Sequence, residues 1–174
     1  MFERDHHNRI QTLLPALNND FLAENKCFFG GDTAIVLALI EYRKSVDIDF
    51  LCASQDGYRE LRNTIDNTCL GAILSRPVEL ARDVRADRYG IRTFLRVDGM
   101  PVKFEIVSEG RIQIAGELNS LTGVPALTRA DMYAEKLLAN ADRYRDRAVA
   151  SRDIIGKLKP AEFVHLPIGV ATRI

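Results

Sequence analysis

Two aspartates placed two residues apart in an apolar, β-rich run constrain this chain more than any other feature. In a strand, Asp47 and Asp49 leave one face, while Ile48 and Phe50 leave the other. Two carboxylates this close repel each other unless a cation lies between them. The pattern therefore predicts a strand that is buried on one face and carries a cation-binding carboxylate pair on the other.

A glycine turn precedes this strand. Gly30 and Gly31 follow a short apolar run and come just before a helix-like stretch that starts at Thr33. Backbone N–H groups at glycine can approach a phosphate closely, and a helix N-terminus favours the same anion. A phosphate-binding turn followed by a carboxylate pair is typical of sites that hold a nucleotide together with magnesium.

The periodicity of the chain predicts an α+β fold, with a mixed sheet flanked by helices and followed by a short C-terminal helical segment. We expect the core and its N-terminal helix over residues 1–126, and the abbreviated helical segment and tail over 127–174. The predicted helices cover about 5–22 with a kink at Pro15, 33–39, a segment from Asp56, and 128–158 with Thr128 as N-cap; the predicted strands cover 27–29, 47–52, 91–97, 102–107 and 111–114.

Three stretches within residues 27–155 resemble the AbiEii/AbiGii-type abortive-infection toxin nucleotidyltransferases, a family of the DNA polymerase β-like nucleotidyltransferase superfamily. The first joins the glycine turn to an Arg-x-Ser element and to Asp-x-Asp followed by an aromatic residue. The second is a strand with a lysine and, two residues on, a third acidic residue. The third is a helical lysine motif with a later Arg-Asp pair. The residues concerned are Gly30, Gly31, Thr33, Arg43, Ser45, Asp47 and Asp49; Lys103 and Glu105; and Lys136 with Asp153.

The resemblance implies magnesium-dependent transfer of a nucleoside monophosphate from an NTP to an acceptor. Asp47, Asp49 and Glu105 would hold Mg²⁺, and Lys136 would carry leaving-group charge. The acceptor would be RNA, tRNA foremost, or a protein, and the enzyme would be the toxin of a toxin–antitoxin or phage-defence pair with an antitoxin partner. The residues that would bind the nucleotide are Gly30, Gly31, Thr33, Arg43, Ser45 and Asp153.

Two other functions stay open on the sequence. One is a small-molecule nucleotidyltransferase of the aminoglycoside-modifying kind, which shares the same core. The other is a catalytically weakened nucleotide-binding module, because Asp32 stands where relatives carry glycine or go straight to threonine. We expect Asp32 to cap the following helix and to compete with the triphosphate for its N–H groups.

Composition limits the number of domains, the kinds of site and the cellular location that we expect. The 174-residue chain is 47% hydrophobic, which allows one domain to bury its own core. Its three cysteines lack paired spacing for a disulfide framework or a zinc site, and the histidines lack the spacing of metal ligands or of a catalytic triad. The sequence has no long apolar run and no signal peptide, so we expect a cytoplasmic protein without a membrane partner.

Arginine distribution is more informative than the net charge, which is zero. Eighteen arginines outnumber six lysines, and half of them fall in two bunches with interleaved aspartates, so an ion-paired solvated surface is favoured over an RNA groove. The first bunch contains Arg82, Arg85, Arg88, Arg92 and Arg96, and the second contains Arg143, Arg145, Arg147 and Arg152.

Overall fold

A seven-stranded mixed β-sheet organises the molecule, as seen in a computed structural model that describes residues 2–38 and 44–143. Across the sheet the strand order is β3-β4-β5-β2-β1-β7-β6. β2 lies parallel to β5 and β1 parallel to β7, and the other neighbours are antiparallel, which confirms the predicted mixed sheet. The strands are β1 (Cys27–Gly30), β2 (Asp47–Cys52), β3 (Leu80–Ala86), β4 (Gly90–Val97), β5 (Met100–Ser108), β6 (Gly116–Leu118) and β7 (Pro125–Leu127).

The predicted opening helix is wrong as a single element. α1 ends before a 3₁₀ turn that contains Pro15, whose ring and missing N–H cannot continue an α-helix. α2 then starts anew, with the Asn18 side chain accepting a hydrogen bond from the N–H of Phe21. In the described residues the α-helices are α1 (Asp5–Leu13), α2 (Asn19–Glu24), α3 (Gly31–Ala38), α4 (Gln55–Asn63) and α5 (Arg129–Arg143).

Three fully buried phenylalanines form the centre of the core beneath the sheet. Phe29, Phe50 and Phe104 come from β1, β2 and β5, and successive ring centroids lie 5.4 and 6.1 Å apart. Since side chains alternate along a strand, burial of Phe50 and Ile48 turns Asp47 and Asp49 to the opposite face. The same alternation in β5 buries Phe104 and turns its polar neighbours outward, as predicted.

Turn and cap chemistry also follows the sequence in two places. The β4–β5 hairpin turns at Asp98 and Gly99, both with positive φ, as an Asp-Gly hairpin requires. At the start of α5, the N–H of Asp131 donates to Thr128 Oγ1, while the Thr128 hydroxyl donates to the Asp131 carboxylate. This reciprocal cap confirms that the helix begins just after Thr128.

The strand predicted over 111–114 is wrong. Ile114 turns into the core, and the N–H of Ala115 donates to the Asp131 carboxylate 3.0 Å away, so this backbone serves the cap of α5 instead of a ladder. The short strand of this region, β6, lies further along at Gly116–Leu118, paired with β7. The sequence interpretation also missed β3 and β7. Residues 144–158 of the predicted long helix lie outside the described part of the chain.

Candidate active site

One transverse row of the sheet brings the glycine turn and two of the predicted carboxylates together. Gly30 on β1 is the register partner of Asp49 on β2, and Asp49 is in turn the partner of Glu105 on β5. Asp47 faces Lys103 in the next row, on the same face. Since paired residues of neighbouring strands lie side by side, residues far apart in sequence meet in one row.

Gly31 makes the closest approach to this row. Its φ is +70°, and a Cβ placed on it would lie 2.7 Å from Oδ2 of Asp49 and 2.9 Å from its Cβ. Both the backbone conformation and the space therefore require glycine. Gly30 is similarly enclosed, because a Cβ there would meet side-chain carbons of Leu51 and Leu127 at 2.5 and 2.8 Å. The chain thus enters α3 directly over Asp49.

The surroundings of Asp49 destabilise its negative charge, and a bound cation would stabilise it. Burial, and then the neighbouring charge of Asp47, raise the pKa of the Asp49 carboxyl to about 6. Glu105 and Asp32 push the pKa of Asp49 in the same direction, and Lys103 opposes them. Carboxylate oxygens are the ligands that Mg²⁺ prefers, so the Asp47–Asp49 pair fits a divalent cation.

Glu105 is held by two cations. Arg92 Nε lies 2.6 Å from Oε1, and Lys103 Nζ lies 2.6 Å from Oε2. Burial would raise the pKa of Glu105, but these two hydrogen bonds outweigh burial and hold it below its usual range. Across residues 2–38 and 44–143, no group of three or more His, Cys, Asp or Glu side chains is arranged to hold a metal ion. Glu105 shares the face of Asp47 and Asp49, with its carboxylate engaged by Arg92 and Lys103.

The hydroxyls of Thr33 and Ser45 bond to each other. Their oxygens are 2.7 Å apart, and both side chains are buried. The backbone N–H of Ser45 donates to Nε2 of the fully buried His7 in α1, 3.3 Å away. His7 thus holds the backbone at Ser45, a contact that sequence reasoning missed, because two adjacent histidines on α1 carry no signal of a partner 38 residues away.

Lys136 reaches the glycine turn from α5. Its ammonium pairs with the carboxylate of Asp32, in the first turn of α3. Since α3 begins at Gly31, Asp32 is a helical residue and not the predicted N-cap. The structure therefore brings the lysine of the helical motif to the glycine turn, although the two are more than a hundred residues apart in the sequence. Arg43 and Asp153, both predicted to bind the nucleotide, lie outside the described residues.

Comparison with known proteins identifies the family. The family model described as "Nucleotidyl transferase AbiEii toxin, Type IV TA system" matches residues 12–155, which is most of the chain. The chain belongs to this AbiEii family. The match spans every candidate residue of the predicted site, including Arg43 and Asp153, and it confirms the resemblance inferred from the three motifs. AbiEii proteins are nucleotidyltransferases by that description.

Solved structures with similarity to this AbiEii chain are distant. JHP933 from Helicobacter pylori is 17% identical with a TM-score of 0.44, and the alignment covers 80% of this chain and 59% of that one. TM1012 from Thermotoga maritima is 15% identical with a TM-score of 0.43, covering 83% of this chain and 91% of that one. The Megavirus polyadenylate synthase is 9% identical with a TM-score of 0.41, covering 87% and 32%. The chain thus spans less than two thirds of the length of the Helicobacter pylori protein. Among curated proteins, none matches it in sequence.

A membrane-spanning helix is absent from the described part of this AbiEii chain: none of its helices combines enough length with enough apolar character.

Proposed function

We propose that this chain is a magnesium-dependent nucleotidyltransferase that transfers a nucleoside monophosphate from an NTP to an acceptor, as the toxin of an AbiEii-type toxin–antitoxin pair. The observation that carries the proposal is the row formed by Gly30, Asp49 and Glu105. It sets a turn suited to phosphate beside carboxylates suited to a divalent cation. The family membership supports both the enzyme class and an antitoxin partner.

The glycine turn would hold the triphosphate. Gly31 brings the backbone over Asp49 and opens α3, whose first N–H groups favour an anion. The buried hydroxyls of Thr33 and Ser45 hold each other, so Thr33 would serve the phosphates through its backbone and Ser45 would brace the turn. Lys136, already beside Asp32, would neutralise charge on the phosphates.

Asp47 and Asp49 would hold Mg²⁺ from the sheet, and Glu105 would complete the site. When bound, Mg²⁺ supplies positive charge that stabilises the attacking and leaving oxygens in line. Lys103 and Arg92 fix the Glu105 carboxylate in its ionised form, which is the form that a metal ligand or a general base needs. To serve in either role, Glu105 exchanges at least one of these partners.

A labelled-transfer experiment tests the proposal. The protein is incubated with magnesium and each radiolabelled NTP in turn, together with total RNA or lysate protein, and the labelled fraction is identified. We expect one fraction to take label, and the Asp49→Asn variant to lose transfer by at least a hundredfold, since a metal-holding carboxylate is gone. Asp56→Asn, on the exposed surface of α4, is the matched control and should keep wild-type transfer.

Three results would count against the proposal. Turnover by Asp49→Asn near that of wild type would exclude the metal mechanism. Magnesium–NTP binding by calorimetry without transfer to any acceptor would favour the weakened binding module, and transfer to an aminoglycoside alone would favour the small-molecule enzyme.

A further inference from the structure

The face of the sheet that carries the candidate carboxylates continues past Glu105 to the β3 edge. Strand pairing sets four residues of each row on this one face, because register partners share a face. Within one row, the backbones of β5 and β3 are two strand spacings apart, about 10 Å. The first row is Asp49, Glu105, Arg92 and Arg85, and the second is Asp47, Lys103, Phe94 and Arg82.

Irregular pairing places both β3 arginines on this face. Arg82 and Arg85 are three residues apart, and a register shift between them lets each face a β4 residue of the same face, Phe94 and Arg92 respectively. Val84 between them is buried on the other face. Without the shift, strand alternation would send one of the two arginines to the core side. The irregularity thus concentrates positive charge beside the carboxylates.

The arginines on this face differ in their partners. Arg92 is paired with Glu105 and Asp87, and Arg96 with Glu79, so ion pairs neutralise these two, and one of their partners, Asp87, is an interleaved aspartate of the bunch. Arg82 and Arg85 are exposed, and within the described residues no carboxylate pairs with either. Arg85 also lies directly opposite Arg92, whose charge Glu105 and Asp87 offset, so Arg85 contributes the positive charge of this pair that no carboxylate in the described residues neutralises.

Planar groups accompany these charges. The guanidinium of Arg82 lies over the ring of Phe94, 4.7 Å from its centroid. At the β3–β4 turn, Arg88 lies over the exposed ring of Tyr89 at 4.5 Å. Bases of single-stranded nucleic acid stack on aromatic rings and on guanidinium planes, while their phosphates bind arginine. The hairpin therefore offers both elements of such a surface.

We propose that the β3–β4 hairpin is the acceptor platform, which binds the end of a single-stranded polynucleotide. Arg82 and Arg85 bind backbone phosphates, a base stacks on the Arg82–Phe94 pair, and the terminal hydroxyl is thereby directed toward the row of Asp49 and Glu105. The inference rests on the proposed function, whose glycine turn takes the triphosphate at the other end of the same row. An acidic peptide would satisfy the charges and leave the stacking planes unused, so the arrangement favours a nucleic acid.

Fluorescence anisotropy with a labelled single-stranded RNA oligonucleotide, without NTP, tests the platform. Wild type should bind, with affinity that falls as salt rises. The double variant Arg82→Gln/Arg85→Gln should bind at least tenfold more weakly and show a salt slope smaller by about 1.4, since each phosphate contact on a single strand contributes about 0.7. Phe94→Leu should weaken binding about tenfold with an unchanged slope, and Phe94→Tyr should restore it.

Arg62→Gln is the matched control. Arg62 is an exposed arginine on α4 that lines, with Val84, a cavity of about 350 Å³ on the other face of β3, and its loss should change RNA affinity less than twofold. Thermal unfolding of every variant verifies the fold, and the two arginine changes, on exposed side chains, keep the test valid if Phe94→Leu fails to fold. A DNA oligonucleotide of the same sequence shows which sugar the platform accepts, and binding of either supports it.

Three outcomes overturn the platform: wild type that does not bind the oligonucleotide, a double variant that binds as well as Arg62→Gln, or an acidic peptide that competes as well as RNA. Calorimetric titration of magnesium–NTP into wild type separates this inference from the proposed function. If the oligonucleotide binds through Arg82 and Arg85 but NTP does not bind, the platform is supported and the proposed enzyme activity is contradicted. If NTP binds but the oligonucleotide affinity does not depend on these arginines, the proposed activity is supported and the platform is contradicted.

Discussion

Lys136 and Asp32 form an ion pair between α5 and the first turn of α3, beside the glycine turn. Both side chains are largely buried, with 18% and 32% of their surfaces exposed. Asp32 is the acidic residue in the first turn of α3, and Lys136 belongs to the helical lysine motif. The pair therefore matches the negative charge of the turn with a cation from α5. A bound triphosphate and Asp32 would compete for this cation.

We predict that Asp32→Asn tightens magnesium–nucleotide binding roughly twofold to fivefold. The change removes a negative charge from the N-terminal turn of α3 and ends the ion pair of Asp32 with Lys136, and each effect favours a phosphate there. Stability should fall by about 1 kcal/mol, because an ion pair and a helix-dipole interaction are lost. Isothermal titration and urea unfolding measure the two effects. Asp56→Asn is the control, and weaker nucleotide binding in Asp32→Asn would show instead that Asp32 holds Lys136 in its working position.

Asp49→Asn should stabilise the protein in the absence of metal. The pKa of Asp49 is raised from 3.8 to about 6, so the folded state disfavours its ionised form. The resulting destabilisation is absent below about pH 4 and complete above about pH 6. At pH 7.5 the variant should gain on the order of 1 kcal/mol, with each pKa unit equal to about 1.4 kcal/mol before losses from changed hydrogen bonding. Urea unfolding in EDTA at pH 7.5 measures the gain, and a loss of stability would show that the Asp49 charge is already compensated.

The sequence predicted the centre of this fold well because local pattern and tertiary environment agree there. Alternation placed Asp47 and Asp49 on one face of β2 and the apolar residues on the other, as the structure has them. The Asp98–Gly99 turn and the cap at Thr128 are likewise local signals. The glycine turn meets Asp49 because β1 and β2 pair, and the helix between these two strands allows them to do so.

Other features depend on contacts that no local pattern encodes. β3 is interrupted by register shifts and carries mostly exposed residues, so its alternation is hidden. The hydrogen bond from the N–H of Ser45 to His7 joins α1 to the segment just before β2. The cation pair on Glu105 depends on Arg92 of the neighbouring strand, whose register only the folded sheet defines. The sequence predicts a kink at Pro15, whereas the 3₁₀ turn that contains Pro15 ends α1 altogether.

The stability of the α5 attachment should decrease as the pH rises toward 7. Burial, and then the charge of Glu109, raise the pKa of Glu135 to about 7, although Arg111 bridges the two carboxylates. Because the folded pKa exceeds the unfolded value of 4.5, the stabilisation is full below about pH 4.5 and is lost as the pH rises through about 7. Thermal unfolding at pH 5.5 and 8.5 should show a smaller pH effect in Glu135→Gln than in wild type. The exposed Glu60→Gln is the control, and equal pH effects in wild type and Glu135→Gln would contradict the assignment.

A comparison of Gly31 with Gly99 separates two reasons for glycine at the turn over Asp49, the positive φ and the lack of space for a side chain. Both have φ near +70°, at +70° and +74°, so a side chain strains either position. A Cβ on Gly99 meets nothing within 4 Å, whereas one on Gly31 would meet Asp49 at under 3 Å. Gly99→Ala should therefore cost about 1 kcal/mol of unfolding free energy, the strain of the left-handed region alone. Gly31→Ala should cost roughly 2 to 4 kcal/mol, because Asp49 must also move, and it should abolish magnesium–nucleotide binding where Gly99→Ala keeps it. Urea unfolding and calorimetry on both variants measure the difference, and equal losses of stability with nucleotide binding retained in both would mean that the close approach of Gly31 to Asp49 does not shape the site.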